Sequence, residues 1–190
     1  MNKYLAFNKP FEVLTKFSDH SGRKTLKDFI PIKGVYAAGR LDYRSEGLLI
    51  LSNDGPMIQR LTHPHYCHPK TYLAQVEGIL TKEAITKLNN EILFPGVQTR
   101  LPQSVTISDP VLPPRSKPVR EYHPTSWLKI TMHEGKKHQV RRMTSAVGFP
   151  TLRLIRVSIG SIELGGLDPG KWRFLSTAEI SKLKQELNFG

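Results

Sequence analysis

Residues 39–55 read GRLDYRSEGLLILSNDG. Gly39 permits a turn, Leu48, Leu49, Ile50 and Leu51 form an apolar strand, and Asn53-Asp54-Gly55 is a turn that leads into a capped helix. A carboxylate, Asp42, therefore lies on a loop between an Arg-Leu pair and a strand built for the core. An aspartate in such a place is most often a turn or capping residue that bonds nearby amides. The other reading is catalytic, because reactive groups are disproportionately carried on loops fixed by a rigid scaffold.

Outward from this stretch, short alternating or β-branched runs predict strands at 4–7, 35–38, 48–51, 71–76, 105–107, 127–132 and 152–159. Helices are expected at 21–30, 56–61, 81–92, 136–147 and 176–187. Ile85, Leu88 and Ile92 would share one face of the third, and Gly148 with Pro150 ends the fourth. There is no strict βαβ repeat, and several strands are joined by loops too short for crossovers. The fold class is therefore α+β, with a mixed, mostly antiparallel sheet. Residues 110–124, PVLPPRSKPVREYHP, read as an ordered loop or arm rather than a domain linker.

Composition narrows the partner. Lys and Arg number 28 against 16 Asp and Glu, a formal charge of +12. Ten of the basic residues, against two acids, fall between Arg115 and Arg156. A basic domain without an apolar run long enough for a membrane most often meets a polyanion, usually nucleic acid. The clustering points to a face that tracks phosphates, against the plainer reading of a solvated basic surface. The lone cysteine, Cys67, allows no internal disulfide and suits a reducing, cytoplasmic compartment. No long exposed apolar stripe is evident, so a monomer is expected.

Three further stretches carry chemistry-bearing residues. In EGKKHQVRRM (134–143), helical spacing puts Val140, Met143 and Val147 on a buried stripe. Lys137 and Arg141 share a second face, and His138 and Arg142 a third. Arg141, one step from the apolar stripe, could reach a cleft edge and pair with a carboxylate, keeping it ionised; the alternative is a solvated basic face. In KTYLAQVEG (70–78), Tyr72 is either a core tyrosine or a stacking platform for an unpaired base. In THPHYCHP (62–69), His63, His65, Cys67 and His68 are zinc-type residues. Their spacing matches no standard zinc motif and two prolines interrupt them, so the stretch reads as a surface loop and no metal is expected. Nucleotide-loop, zinc-protease and nucleophile-elbow motifs are absent from the sequence.

Taken together and in order, these pieces resemble the pseudouridine synthases of the small-subunit branch. GRLDYRSEGLLILSNDG is similar to that family's catalytic-aspartate motif, and NKP (8–10) to its first motif. KTYLAQVEG is similar to its tyrosine motif, and EGKKHQVRRM followed by GFPTLRLIRVSIG to its third motif and the next strand. The likeness runs from Asn8 to about Phe174. His138, Tyr43 and Ser52 depart from the usual residues, while the aspartate, tyrosine and arginine of the motifs stand.

The resemblance implies a pseudouridine synthase fold with a central catalytic cleft. It implies a single catalytic domain over 1–190, without the small S4-type RNA-binding domain that often precedes it. It implies cofactor-free isomerisation of a uridine in 23S, large-subunit ribosomal RNA. Asp42 would be the catalytic carboxylate, attacking or stabilising C1′ or taking a sugar proton. Arg141 would hold Asp42 in an ion pair, Val140 would support the uracil, and Tyr72 would stack on the flipped base. Arg40 would fill the space the base leaves. Lys136, Lys137, His138, Arg142, Arg115, Lys117 and Arg120 would contact phosphates.

Two other classes compete. A non-catalytic RNA-binding module explains the charge equally well but gives Asp42 no purpose. A nucleic-acid hydrolase working through the 63–68 cluster would need a metal.

Overall fold

The computed structural model describes residues 1–90, 101–119 and 122–189. Among them nine strands form a single sheet. These are β1 (Tyr4–Lys9), β2 (Tyr36–Ala37), β3 (Glu46–Ser52), β4 (Lys70–Glu77), β5 (Gln103–Ile107), β6 (Thr125–Met132), β7 (Thr151–Ile159), β8 (Ile162–Glu163) and β9 (Trp172–Phe174). The main path runs β5-β6-β4-β7-β3-β1-β9, with β2 added to β3 and β8 to β7. Every pairing is antiparallel except β3 with β7. The α+β class and the mixed, mostly antiparallel sheet are as the strand patterns require.

Among the described residues four α-helices pack on this sheet: α1 (Gly55–Thr62), α2 (Lys82–Asn90), α3 (Gln139–Ala146) and α4 (Thr177–Glu186). Asp54 caps α1 by accepting from the Met57 amide, and Ser176 with Glu179 forms a capping box on α4. One face of β1 and β3 packs Ala6, Leu48 and Ile50 against Met57 and Leu61 of α1 and Leu183 of α4. The opposite face packs Leu5, Phe7, Leu49 and Leu51 against Leu26, Ile30 and Val35. Burial on both faces explains why β3 is a continuous apolar run rather than an alternating one. Beyond β7, a third cluster joins Ala74, Val76, Leu128, Ile130 and Leu154 to Leu88 of α2 and Val140 and Met143 of α3.

The two halves of the sheet meet where β3 lies parallel to β7, through the pairs Glu46↔Ile155 and Gly47↔Arg156. Gly47 is required there. Its φ is +103°, and an added Cβ would stand 2.3 Å from the Arg156 carbonyl oxygen.

Two helix expectations need correction. Residues 21–30 form only a 3-10 turn, Leu26–Asp28. The Asp19 carboxylate takes the amides of Ser21 and Arg23, and Leu14 and Leu26 bond the carbonyls of Lys24 and Lys16, so the backbone is committed elsewhere. The helix expected from 136 begins at Gln139, because His138 adopts φ 55° and the Gln139 side chain accepts from the Lys136 amide. Strands β8 and β9 carry no pattern long enough to be read from sequence. Ile92, placed at the end of the third expected helix, lies outside the described residues. Residues 108–119 have no regular secondary structure, and Arg120 is outside the described residues.

Candidate active site

Asp42 is held from both sides. Leu41 before it is buried, and its backbone is gripped by Thr15: the hydroxyl donates to the Leu41 carbonyl at 2.7 Å and accepts from the Leu41 amide at 3.2 Å. After it, the Ser45 amide donates to the Asp42 carbonyl at 3.0 Å, closing a turn into β3. A buried leucine and a buried strand thus fix a carboxylate whose side chain stays 36% exposed. This is why the acid sits between an Arg-Leu pair and a core strand.

It faces a cleft of about 1010 Å³ over the junction of the two half-sheets. Leu41, Asp42 and Ser45 line it from one half, and Tyr72, Leu154, Arg156 and Val140 from the other. Tyr72 is half-buried on β4, directly opposite Arg156 on β7, so both side chains project to the same face. Arg40 is exposed at the lip. Lys136, Lys137 and His138 form the exposed opposite rim, on a loop braced by Gln139, which donates to Glu134 at 2.7 Å.

The side chain within ion-pair distance of Asp42 is that of His138, with Nε2 3.4 Å from Oδ1. The expected direct pair with Arg141 is not formed. Arg141 instead donates to the carbonyls of Thr151 at 3.0 Å and Arg44 at 2.8 Å. It remains within electrostatic reach: burial lowers its guanidinium from the ordinary value, and the Asp42 charge opposes that. Arg142 is exposed on α3 and does not line the cleft. Arg115 lies over the Phe11 ring, 4.0 Å from its centroid, and Lys117 is exposed; neither lines the cleft.

Besides Thr15, two cations of the cleft escaped the sequence reading. Lys70 sits two places before Tyr72 on the same strand face, and burial, followed by the Arg156 charge, pushes its amine down to about 8. Arg156 is 3% exposed and lines the floor. The available signal was a cation at an alternate position on an otherwise core-facing strand stripe.

The His-rich loop borders the site without forming a centre of its own. His63 and His65 stand edge-on to Tyr66, and His68 is buried with Nε2 3.8 Å from Glu186. Among the described residues no three or more His, Cys, Asp or Glu side chains group closely enough to hold a metal ion. No helix among them is long and apolar enough to cross a membrane.

Comparison with known proteins places this geometry. Residues 3–146 match the family described as RNA pseudouridylate synthase. Ribosomal large subunit pseudouridine synthase E of Vibrio vulnificus is 49% identical over 176 residues, 92% of this chain and 75% of that protein. Its namesake from Xanthomonas campestris is 48% identical over 172 residues, 87% of this chain and 91% of that one. A crystal structure of a pseudouridylate synthase superposes with a TM-score of 0.81 at 28% identity, covering 96% of this chain and 74% of that one. The motifs around Asp42, Tyr72 and Arg141 thus stand in a fold shared with those proteins, and the chain belongs to the RNA pseudouridylate synthase family.

Proposed function

We infer that this protein converts one uridine of 23S ribosomal RNA, in the large subunit, to pseudouridine, with Asp42 as the catalytic carboxylate. The observation that carries the reading is the placement of Asp42. A carboxylate whose loop is anchored by Leu41 and Thr15 lines one cleft with Tyr72 and with the basic residues Lys136 and Lys137. The large-subunit target is supported by the names of the relatives that are nearly half identical to this chain.

The reaction breaks N1–C1′, turns the uracil and joins C5 to C1′. The product has the same atoms as the substrate, so no redox cofactor is called for. Asp42 either adds to C1′ or removes a sugar proton. Tyr72 stacks on the flipped base, Val140 supports it, and Arg40 occupies the gap in the RNA. Lys136, Lys137, His138 and Arg142 hold phosphates near the site, Arg115 and Lys117 extend the basic track outside the cleft, and Arg120 adds a further phosphate contact. The protein acts as one catalytic domain and as a monomer, and the single cysteine suits a reducing cytoplasm.

Wild type and Asp42→Asn are incubated with unmodified ribosomal RNA, and pseudouridines are mapped by carbodiimide labelling and primer extension. One new stop in the large-subunit RNA, made by wild type alone, is expected. No stop with either protein, while both bind RNA equally, would make this a binding module instead.

A further inference from the structure

The floor of the cleft holds more positive charge than its neighbours balance. Arg156 donates from Nε to the Leu48 carbonyl at 2.8 Å. Its Nη2 is buried and has no hydrogen-bond partner among the described residues. Lys70, also lining the cleft, donates to the His68 carbonyl at 3.0 Å. Every ion pair among the described residues lies elsewhere, so no carboxylate neutralises either cation at close range. The two feel each other directly: the Arg156 charge helps to lower the Lys70 amine. A buried N–H left unmade keeps the full cost of its lost hydration. An orphan of this kind needs an explanation, and at a reaction site it suits a group whose negative charge appears only during the reaction.

The register identifies that group. Arg156 is the direct cross-strand neighbour of Tyr72. A base stacked on Tyr72 brings its edge over the guanidinium. Phosphates must remain at the rim, where the RNA chain enters and leaves and where Lys136 and Lys137 are exposed. The base alone reaches the floor.

The chemistry asks for a cation there. When N1–C1′ breaks, its electron pair stays on uracil N1 and spreads to O2 and O4. This holds whether Asp42 adds to C1′, forming a bond that C5 later displaces, or takes a C2′ proton that it later returns. The pair that makes the new C5–C1′ bond then comes from the uracil, C5 loses its proton and N1 gains one. In both routes the detached base is an anion that must be held while it turns.

Resting on the function inferred above, we propose that Arg156, backed by the charge of Lys70, is a further catalytic residue: its unpartnered N–H groups bind a uracil carbonyl oxygen and hold the negative charge of the detached base.

The test compares single-turnover pseudouridine formation and RNA affinity in wild type, Arg156→Gln, Arg156→Lys and Lys70→Gln. Arg156→Gln is expected to slow formation about 10²–10³-fold, the loss typical of one oxyanion-binding donor, with RNA affinity within about twofold. Arg156→Lys recovers part of the rate, and Lys70→Gln slows it about tenfold by weakening the local field. Loss confined to affinity, or equal losses in Arg156→Gln and Arg156→Lys with lowered melting temperatures, would make Arg156 a binding or structural residue and overturn the assignment. If Arg156→Gln does not fold, Lys70→Gln decides, and an unchanged rate overturns the proposal. Active variants beside an active wild type refute this inference alone. A wild type that forms no pseudouridine removes the functional reading and the inference with it.

Discussion

Arg141 donates from Nη2 to the backbone carbonyl of Arg44 at 2.8 Å, two residues beyond Asp42. Its other terminal nitrogen reaches the Thr151 carbonyl at 3.0 Å, at the start of β7. The guanidinium therefore ties the loop of Asp42 to the far half of the sheet. It supports Asp42 through the backbone and through its charge rather than by a direct ion pair. A planar fork can serve both carbonyls at once, and an ammonium cannot do so in the same geometry. Arg141→Lys is expected to lower the single-turnover rate about 10–100-fold, as small misplacements of catalytic groups do, with RNA affinity within about twofold. A parallel fall in rate and affinity would instead make Arg141 an RNA contact.

Gly47 should tolerate no side chain. A Cβ there would meet the Arg156 carbonyl oxygen at 2.3 Å and its amide nitrogen at 2.7 Å, both backbone atoms of the only parallel pairing among the described strands. Gly47→Ala combines an unfavourable φ with overpacking. It should destabilise by about 3 kcal/mol or more, read as a shift in urea midpoint. An unchanged midpoint would mean that β3 and β7 separate freely.

Lys9 should make stability depend on alkaline pH. It is fully buried, with Nζ donating to the carbonyls of Pro10 at 2.9 Å and Val13 at 2.8 Å. Burial, only partly offset by the charges of Glu46 and Asp42, pushes its amine from 10.5 down to about 7. Between those values the unfolded chain binds more protons than the folded one, so stability rises with pH across the window and the gain vanishes below about 7. Lys70, near 8, acts in the same direction. The urea midpoint should climb from neutral pH towards about pH 10, and less steeply in Lys9→Met. Equal slopes in the two proteins would exclude Lys9 as the source.

The rim lysines should govern salt dependence. Lys136 and Lys137 are exposed at the cleft edge, where a phosphate can neutralise each. Replacing both with alanine should reduce the slope of log affinity against log salt by about 1.5, two contacts at roughly 0.7–0.9 each. The slope for wild type should be recovered by Lys136→Arg with Lys137→Arg. A double alanine protein with an unaltered slope would place the RNA backbone elsewhere.

Seven strands and four helices were legible because each carries a local period or cap: the unbroken run 48–51, the alternation through 71–76, the Asp54 cap before α1. The segment 21–30 was misread because its polar side chains capture nearby amides, which no apolar period records. The start of α3 was misread because one residue, His138, turns the chain out of the helix. At the site, Asp42, Tyr72 and Val140 were found by motif and all three line one cleft. Thr15, Lys70 and Arg156 were missed because their contribution depends on segments far apart in the chain.

The sequence by itself determined where seven of the strands fall, which carboxylate stands on a loop before a core strand, and that a polyanion is the natural partner of so basic a surface. Those are properties of neighbouring residues and of total charge. Only the tertiary structure decided that β3 lies parallel to β7, that Asp42 meets the imidazole of His138 while Arg141 braces its loop, and that Arg156 ends beside Tyr72 with a donor unmade. The physical reason is that pairing between distant strands is selected by what they jointly bury and bond. A side chain's partner is known only once that selection is complete.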